Sequence, residues 1–258
     1  MKIEGSRVII TGAGSGFGRQ MALRLSSLGA RVAALDLNVS ALESLVQNDP
    51  TIQSFPCNVS NPVEVEKSVE MIFSKLEGVD VLVNNAGIMK NAPLVNFLNR
   101  EDRKHPLGVW DDVISINQSG VFYMSRACVD RMIAKRCKGV IINISSIAAQ
   151  GNAGQTAYSA SKAAVEAMTK VWAKELGAFG IRSVAIAPGF MDTAGTANAL
   201  EEKMLAQWIE KTPLRRTGSI DEVVKAVSFI IDNDFLNGVV IPVNGGLCLL
   251  YTSPSPRD

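Results

Sequence analysis

The sequence predicts an α/β fold, a doubly wound parallel sheet of seven strands with helices on both faces. Its 258 residues fit one large domain of this class. From Arg7 to about Val243, short β-branched apolar runs alternate with longer helical patterns, which is typical of βαβ units around a parallel sheet. The run Val140–Ile142 is apolar at successive positions, as expected for a strand that helices cover on both faces.

Each predicted strand is an apolar run bounded by turn residues or by a helical pattern. The seven strands are Arg7–Thr11, Arg31–Leu35, Gln53–Pro56, Asp80–Asn84, Gly139–Ile144, Arg182–Ala187 and Val239–Val243. Between the fourth and fifth strands the helical pattern is interrupted, because Met89–Leu107 contains two prolines and a charged cluster at Asn99–Lys104 that fit neither period. We expect a long loop there, and loops of this length are usually functional or mobile.

Composition and charge exclude several classes of protein. With 47% hydrophobic and 20% charged residues the chain can bury a full core, which excludes a disordered chain and a disulfide scaffold. The net charge of +1 argues against a nucleic-acid partner. No uncharged apolar stretch approaches the ~18 residues that cross a bilayer, and the amino terminus has no signal-peptide pattern. We expect a cytoplasmic protein with neither a membrane nor a nucleic-acid partner.

The residues that most often bind metals do not form a ligand pattern in this sequence. The four cysteines, at positions 57, 128, 137 and 248, lack the spacing of a metal site. His105 is the single histidine, so a site with several histidines cannot be built from this chain. We therefore expect no metal.

A glycine-rich turn follows the first predicted strand and opens an amphipathic helix. The segment is Thr11-Gly12-Ala13-Gly14-Ser15-Gly16-Phe17-Gly18. Glycines let the backbone approach a diphosphate closely, and a helix N-terminus directs N–H groups and partial positive charge at it. The spacing differs from GxGxxG because Phe17 occupies the last glycine position of that pattern. The turn indicates nucleotide binding, and the alternative is a tight strand-to-helix turn that only needs positive φ.

Asp36 follows the second strand, 18 residues after Gly18, where a carboxylate can accept hydrogen bonds from the adenosine ribose diol of a dinucleotide. The same carboxylate would repel a 2′-phosphate, and no Arg or Lys from 32 to 41 would neutralise one. The sequence therefore predicts NAD(H) in preference to NADP(H). The alternative is that Asp36 caps a helix starting near Ser40.

Tyr158 and Lys162 have the i, i+4 spacing that places two side chains on one face of a helix. A phenol has a pKa near ~10, but an adjacent ammonium and a nicotinamide cation would favour the phenolate. Such a pair can carry a proton to and from a substrate. In isolation the same spacing is usually a coincidence on a helix surface, so its meaning depends on the motifs around it.

Taken together, these motifs resemble the short-chain dehydrogenase/reductase family of the single-domain type, including its 3-oxoacyl reductase-like members. The residues that carry the resemblance are Thr11, Gly12, Gly16 and Gly18, Asn84-Asn85-Ala86-Gly87, Asn117, Ser145, Tyr158, Lys162 and Pro188-Gly189. Their order and spacing extend over nearly the whole chain. The resemblance implies one Rossmann-like NAD(P)-binding domain over residues 1–247 and a homo-oligomer, either a tetramer or a dimer.

The resemblance also implies roles for four catalytic residues. Tyr158 would be the proton donor or acceptor, and Lys162 would lower its pKa and bind the nicotinamide ribose. Ser145 would hydrogen-bond the substrate oxygen, because its distance of 13 residues from Tyr158 matches the family better than that of Ser146. Asn117 would hold a water of the proton relay, and its alternative is an ordinary buried Asn that the backbone satisfies.

Further positions are implied as cofactor contacts. They are Thr11, Gly12, Ser15, Gly16, Phe17, Gly18, Asp36, Asn58, Val59, Asn85, Ala86, Gly87, Tyr158, Lys162, Pro188, Gly189 and Thr193. The sequence departs from the family at Asn58 and at Asn244, where the family often has Asp. Neither departure removes a catalytic group. An amide can still hydrogen-bond adenine, so we expect adenine binding to be altered and not lost.

Three functions are consistent with this sequence. The first is an NAD(H)-dependent oxidoreductase that interconverts a secondary alcohol and a ketone by direct hydride transfer. The second is a 3-oxoacyl-thioester reductase acting on an acyl carrier protein or CoA substrate, which would prefer NADPH and thus conflict with Asp36. Its carrier could dock on the basic cluster Arg131–Lys138, although we favour the interpretation of this cluster as a solvated helix end. The third is a non-catalytic dinucleotide sensor or scaffold.

The substrate itself cannot be read from the sequence. Its pocket would be formed by the Met89–Leu107 loop, Ile147–Gln155 and Phe190–Trp208. Apolar side chains in the last two segments make an apolar pocket plausible. They are Ile147, Phe190, Met191, Leu200, Met204 and Trp208. The same side chains could equally be ordinary core packing.

The composition changes abruptly after Leu247. Residues 248–258, Cys-Leu-Leu-Tyr-Thr-Ser-Pro-Ser-Pro-Arg-Asp, resemble no part of the fold and match one reading frame of a transposase-type sequencing adapter. We interpret them as a non-native tail. The alternative is a native, poorly ordered terminus rich in serine and proline.

Overall fold

A computed structural model describes residues 1–192 and 202–247 of the chain. All seven strands are parallel and form one sheet, in the order β3-β2-β1-β4-β5-β6-β7. The strands are β1 (Arg7–Thr11), β2 (Arg31–Asp36), β3 (Gln53–Pro56), β4 (Val81–Asn84), β5 (Gly139–Ile144), β6 (Ile181–Pro188) and β7 (Val240–Val243). The predicted sheet is confirmed, with strand ends that differ by at most one residue.

Helices connect the strands on both faces of the sheet. They are α1 (Gly16–Ser27), α2 (Val39–Asn48), α3 (Pro62–Leu76), α4 (Leu107–Ile114), α5 (Gly120–Ala134), α6 (Thr156–Leu176), α7 (Glu202–Lys211) and α8 (Ile220–Asp232). A π-helical turn, Ser115–Ser119, joins α4 to α5, and short 3₁₀ turns lie at Ile147–Gln150 and Gly177–Phe179. None of the helices in the described ranges combines the length and the apolar character that a bilayer span requires.

The sheet divides the apolar core into two layers. Successive residues of β1 alternate between them, so Val8 and Ile10 pack on the α1 and α8 side while Ile9 packs on the α3 and α5 side. All three side chains are fully buried. Because both faces are covered, the strands are continuous apolar runs, which is the pattern that made them recognisable in the sequence.

A chain of buried polar side chains links β4 and β5 to the helices beside them. Asn84 donates to Ser125 Oγ on α5 and to Asn143 Oδ1 on β5, both at 2.9 Å. Asn143 in turn donates to Thr169 Oγ1 on α6 at 2.9 Å. Networks of this kind specify one packing arrangement, because displacement of any member leaves a buried polar group without a partner.

Strand order reverses at the β1–β4 pair, since the chain winds from β1 outward to β3 and then returns to β4 beside β1. In open α/β sheets, ligands bind outside the carboxyl ends of the strands at such a reversal. The ends of β1 at Thr11 and of β4 at Asn84 mark this point.

The loop predicted at Met89–Leu107 is largely as expected. Residues 85–106 contain neither helix nor extended strand, and α4 begins at Leu107. Two backbone bonds fold the loop into a short arm: Asn96 N donates to Arg103 O, and His105 N donates to Leu94 O. We call residues 94–105 the arm.

Candidate active site

The glycine-rich turn lies between the end of β1 and the start of α1. Gly12 and Gly16 have φ of +65° and +50°, a region that favours glycine. Gly18 is packed against the turn itself, because a Cβ at this position would lie 2.0 Å from the Gly12 carbonyl oxygen. The alternative explanation from the sequence, a tight strand-to-helix turn that needs positive φ, therefore applies at Gly12 and Gly16.

Above Gly16, however, the turn is open. A Cβ on Gly16 would have no heavy atom within 4 Å, so no other part of the protein covers the backbone at this position. The Ser15 side chain makes no capping bond at the start of α1, which leaves first-turn N–H groups for another acceptor. An open glycine turn at an uncapped helix N-terminus fits the diphosphate of a dinucleotide, and Phe17 and Gly18 belong to that first turn.

Thr11 and Asn85 join the glycine turn to the end of β4. Thr11 Oγ1 accepts from the backbone N–H groups of Asn85 and Ala86, each at 3.0 Å. Asn85 Nδ2 donates to the carbonyl oxygens of Thr11 at 2.9 Å and Gly12 at 3.1 Å. Thr11 is only 2% exposed. Its side chain therefore joins the turn to the end of β4, and the cofactor contact expected at Thr11 stays a prediction.

Asp36 lies beside the same turn. Its Oδ2 accepts from Gly14 N at 2.8 Å and its Oδ1 accepts from Asn38 N at 2.9 Å. Helix α2 begins at Val39, and Asn38 is its N-cap. The alternative role of Asp36 as a helix cap is therefore wrong. The carboxylate instead ties β2 to the glycine turn and keeps lone pairs for a further donor.

Asn58 and Val59 follow β3 at the same edge of the sheet. Asn58 Oδ1 accepts from the N–H and the hydroxyl of Ser60 at 3.0 and 2.8 Å, so its side chain closes a local turn. Val59 is buried and packs close to Gly120 at the start of α5. The structure places both residues at the predicted edge, with Val59 in contact with the protein interior.

Helix α6 carries Tyr158 and Lys162 on one face, as predicted. Lys162 is 4% exposed, and its Nζ donates to the Ile144 carbonyl oxygen at 2.7 Å and lies 5.7 Å from the centre of the Tyr158 ring. Burial lowers the pKa of Lys162 from 10.5 to about 8. Among the residues that the structure describes, no carboxylate pairs with this desolvated ammonium, which is unusual away from functional sites.

Tyr158 keeps intermediate exposure as a residue, but protein encloses its hydroxyl end. This burial raises the pKa of the phenol, and a hydrogen bond with the Ser146 side chain opposes the shift. From the sequence we expect Lys162 and a nicotinamide cation together to lower this pKa, and that expectation stays a prediction. Desolvation is the larger effect here, and Lys162 Nζ is directed at the Ile144 carbonyl instead.

The serine position needs a correction. Ser145 Oγ donates to Glu166 Oε1 at 2.9 Å and lies 3.3 Å from the Lys162 carbonyl oxygen, on the buried side of β5. The structure brings Ser146, and not Ser145, to the Tyr158 hydroxyl. Counting residues from Tyr158 cannot distinguish the two serines, because adjacent residues at the end of an extended strand point in opposite directions. In the sequence, the only indication of this arrangement is that a second serine, Ser146, follows Ser145 directly.

Asn117 lies inside the π-helical turn. Gly120 N donates to the Ser115 carbonyl oxygen five residues earlier, which widens the helix, and such turns are frequent at functional sites. The Asn117 amide is fully buried: Oδ1 accepts from Ile88 N and Nδ2 donates to Ile88 O, both at 2.8 Å. Its side chain is therefore satisfied by backbone, as the alternative stated.

Gly87 is where the end of β4 meets these groups. A Cβ on Gly87 would lie 3.2 Å from Asn117 Oδ1 and 3.6 Å from Lys162 Nζ. Only a residue without a side chain leaves this space open between the two. The structure thus brings Gly87, Asn117, Lys162 and Tyr158 to one place, beside the glycine turn that Asn85 and Ala86 contact.

The last predicted contacts follow β6. Gly189 N donates to the Val243 carbonyl oxygen at 2.9 Å, and a Cβ on Gly189 would lie 2.8 Å from Asn244 Cα, so β6 and β7 meet closely after Pro188. Asn244 closes the turn that follows β7, accepting from Gly246 N at 3.1 Å. Thr193 lies outside the described residues.

Of the apolar side chains for which the sequence left a pocket and core packing open, several lie within the described residues. Ile147 and Met191 are buried at 9% and 3% exposure and belong to the core. Phe190 and Trp208 stack with ring centres 4.6 Å apart. Leu200 and the Met204 side chain fall outside what the structure describes. Within the described ranges, no group of three or more His, Cys, Asp or Glu residues could hold a metal ion.

The chain matches a family model described as "Enoyl-(Acyl carrier protein) reductase" over residues 12–248. It is 39% identical to the 3-oxoacyl-(acyl-carrier-protein) reductase FabG of Thermotoga maritima, with 96% of this chain and 100% of that protein covered. It is 34% identical to the 5-keto-D-gluconate 5-reductase of Escherichia coli, with 95% and 96% covered.

Two solved structures are similar over nearly the whole chain. NAD+-bound xylitol dehydrogenase has a TM-score of 0.87 and 30% identity, with 95% of this chain and 100% of that one covered. A 7α-hydroxysteroid dehydrogenase complexed with NADH and 7-oxo glycochenodeoxycholic acid has a TM-score of 0.88 and 28% identity, with 96% of each chain covered. The chain belongs to the short-chain dehydrogenase/reductase family and is a dinucleotide-binding oxidoreductase acting on CH–OH and C=O groups.

Proposed function

We propose that this chain is an NAD(H)-dependent oxidoreductase that interconverts a secondary alcohol and a ketone by direct hydride transfer, with Tyr158 as the proton donor and acceptor. The observation that carries the proposal is the meeting of Tyr158, Lys162 and Ser146 at the carboxyl end of the sheet, next to an open glycine turn. A phenol and a buried ammonium so close to a diphosphate cradle have little structural purpose.

The proposed cofactor contacts follow from the same geometry. The diphosphate would lie on the turn from Gly12 to Gly18, and the adenosine ribose against Asp36. The Asn85–Gly87 segment and Asn58 would border the adenine side, and Pro188–Gly189 would border the nicotinamide side. When bound, the dinucleotide supplies or accepts the hydride.

The chain's own residues handle the proton. In reduction the Tyr158 hydroxyl gives its proton to the substrate oxygen, and in oxidation it takes that proton back. Ser146 hydrogen-bonds the same oxygen and holds it toward Tyr158. Lys162, fixed by the Ile144 carbonyl, supplies positive charge beside the phenol, and Asn117 holds the Ile88 backbone that forms the floor of the site.

The preference for NAD(H) rests on Asp36. Its carboxylate accepts from Gly14 N of the glycine turn and could also accept from ribose hydroxyls, whereas a 2′-phosphate would bring two negative groups together. Arg19, on the first turn of α1, carries a positive charge, but its guanidinium contacts the carbonyl oxygens of Ala41 and Ser44 on α2. The NAD+-bound and NADH-bound structural neighbours are consistent with this preference.

A 3-oxoacyl-thioester reductase is the second candidate, and the name of the Thermotoga maritima relative favours it. The structure offers no support for carrier docking at the basic cluster considered from the sequence. Arg131 is paired with Glu66, and Lys138 precedes β5 at the amino end of the sheet, opposite Tyr158. A non-catalytic sensor is disfavoured, because a pure binder has no need of the Tyr158–Lys162 pair.

A panel of substrates assayed with NADH, NADPH and their oxidised forms tests the proposal. The panel should contain secondary alcohols, ketones, sugar acids and a 3-oxoacyl thioester. We expect turnover of an alcohol–ketone pair with NAD(H). Turnover restricted to the thioester with NADPH would establish the second candidate, and no turnover of any member would contradict both.

We also propose a cytoplasmic homo-oligomer, a tetramer or a dimer. Support comes from exposed apolar side chains on the outer faces of α5 and α6, where Phe122 and Val171 are 45% and 48% exposed. Light scattering of the purified chain distinguishes a tetramer or dimer from a monomer.

A further inference from the structure

Three consecutive residues at the end of β5 contact three side chains of α6 that are spaced four residues apart. The Ile144 carbonyl oxygen accepts from Lys162 Nζ at 2.7 Å. Ser145 Oγ donates to Glu166 Oε1 at 2.9 Å. The Ser146 side chain hydrogen-bonds Tyr158. Spacing of four residues keeps the three α6 side chains on one face of the helix, so that face continues past Lys162 to Glu166.

The Ser145–Glu166 hydrogen bond is more shielded from solvent than a surface contact. Ser145 is 2% exposed, and Glu166 is half-buried. A hydroxyl that donates to a carboxylate makes a charge-assisted bond, stronger than a bond to a neutral acceptor. The other acceptor near Ser145 Oγ is the Lys162 carbonyl oxygen, which is more distant at 3.3 Å. In the part of the chain that the structure describes, Glu166 makes no ion pair, so its carboxylate is available to Ser145.

We propose that Glu166 is a positioning residue of the active site, which acts through Ser145 to fix the end of β5 against α6 and so holds Ser146 opposite Tyr158. The inference rests on the proposed function, in which Ser146 and Tyr158 meet the substrate oxygen. Glu166 itself touches neither substrate nor cofactor. Its effect reaches the reaction through the adjacent residues Ser145 and Ser146.

The consequence for chemistry follows from the Tyr158 hydroxyl. A hydrogen bond with Ser146 opposes the rise in the pKa of Tyr158 that burial causes. If Ser146 moves away, the phenol loses this bond and its pKa rises further. A displacement of about 1 Å can cost on the order of 10²-fold in rate even when its cause lies outside the reacting groups. Loss of the Glu166 contact should therefore alter both the rate and its pH dependence.

The test compares Glu166→Leu and Ser145→Ala with Glu166→Gln, which keeps an acceptor oxygen for Ser145. In Glu166→Leu and Ser145→Ala we expect kcat to fall by about ten- to a hundredfold, and the pH profile to shift upward at its Tyr158-dependent limb. Glu166→Gln should restore most of the rate and the wild-type profile. Glu175→Leu, on an exposed turn of the same helix, is the control and should change neither.

A second readout does not depend on activity. Hydrogen exchange of the full chain should accelerate over residues 145–150 in Glu166→Leu and stay unchanged in Glu166→Gln. Unaltered exchange and an unshifted pH profile in Glu166→Leu would overturn the positioning role, as would a Glu166→Gln variant as impaired as Glu166→Leu. An inactive wild-type chain with the expected exchange pattern would instead count against the proposed function alone.

Discussion

Burial of the Lys162 ammonium lowers the stability of the fold, whereas the proposed chemistry needs its positive charge beside Tyr158. Its ammonium is buried, and burial lowers its pKa from 10.5 to about 8. Between these two values the unfolded chain binds the proton more tightly than the folded chain does. Stability therefore rises as pH increases from about 8 to 10.5, and below about 8 the full cost of burying the charge is present.

Replacing this lysine should stabilise the protein near neutral pH. The shift corresponds to about 3 kcal/mol, from which the lost bond to the Ile144 carbonyl removes ~1 kcal/mol. We expect Lys162→Met to be more stable than wild type at pH 7 by about 2 kcal/mol, with the gain lost as pH approaches 10.5. Urea denaturation across this range measures the difference, and Lys174→Met, at an exposed site on α6, is the control. Parallel stability curves for wild type and Lys162→Met would contradict the burial effect.

Cofactor choice should depend on the charge of Asp36. Asp36→Asn keeps an acceptor for Gly14 N but removes the negative charge that a 2′-phosphate would meet. We expect the ratio of kcat/KM for NADP(H) over NAD(H) to rise by at least about tenfold, roughly 1.4 kcal/mol. Wild type should favour NAD(H). A wild-type preference for NADP(H), or no change in the ratio, would refute this role.

At the residue scale, the sequence predicted the helix face of Tyr158 and Lys162 correctly, because i, i+4 spacing fixes a shared face once the helix forms. It could not show that the Ser145 hydroxyl bonds Glu166, because spacing along the chain does not report which way a side chain points at a strand end. It left the roles of Asp36 and Asn117 open. Both depended on backbone partners, Gly14 and Ile88, that only the folded chain brings together.

At the scale of elements, the arm is the least anchored part of the described site. Its two backbone bonds fold it back on itself, and Phe97 and Leu98 are 81% and 92% exposed. At its base, Gln155 Nε2 donates to Asn91 Oδ1 at 3.0 Å, and the His105 ring contacts the Ala92 carbonyl oxygen at 3.1 Å. The arm is thus attached near the start of α6 and little supported beyond it.

We therefore expect the arm to open far more readily than the sheet. Few buried apolar contacts and exposed backbone bonds give low local stability. Hydrogen exchange without ligand should be fast over residues 94–105 and slow over β5. Protection of the arm equal to that of Gly139–Ile144, with or without cofactor, would contradict a mobile substrate loop.

Strands were easier to predict than the elements around the site. Fully buried strands show as unbroken apolar runs, so all seven were found within one residue. The π-helical turn at Ser115–Ser119 has no such pattern, because a single turn of five residues is too short to show a side-chain period of its own. The N-cap of α2 was missed for a related reason, since Asp36 and Asn38 are both good cap residues in sequence.

At the scale of the whole molecule, the strand order places the site. The sheet reverses between β1 and β4, and the glycine turn, the end of β4 and the start of α6 all meet near this reversal. Family motifs spread over 258 residues thus converge at one edge. The fold class followed from sequence alone, because the alternation of strands and helices leaves few topologies open.

Leu247 is the last residue that the structure describes. It is 4% exposed, and its N–H donates to the Asn244 carbonyl oxygen at 3.1 Å. We propose that residues 248–258 are a non-native tail. Deleting them should leave cofactor binding and turnover unchanged, since all the residues proposed to bind the cofactor or carry the chemistry precede position 248. Resequencing the source gene across this point should reveal different codons after Leu247. The same codons in independently amplified genomic DNA would overturn the adapter origin, and lost activity on deletion would show that the tail contributes contacts.

The account as a whole depends on proton transfer by Tyr158, and Tyr158→Phe tests it most directly. The change removes one hydroxyl and keeps the ring that packs beside Lys162. Steady-state turnover with the best panel substrate should fall by at least ~10²–10⁴-fold, the range typical of a general acid–base group, while the dissociation constant of NADH stays within about twofold of wild type. Turnover close to that of wild type, with cofactor bound normally, would contradict the proposed mechanism.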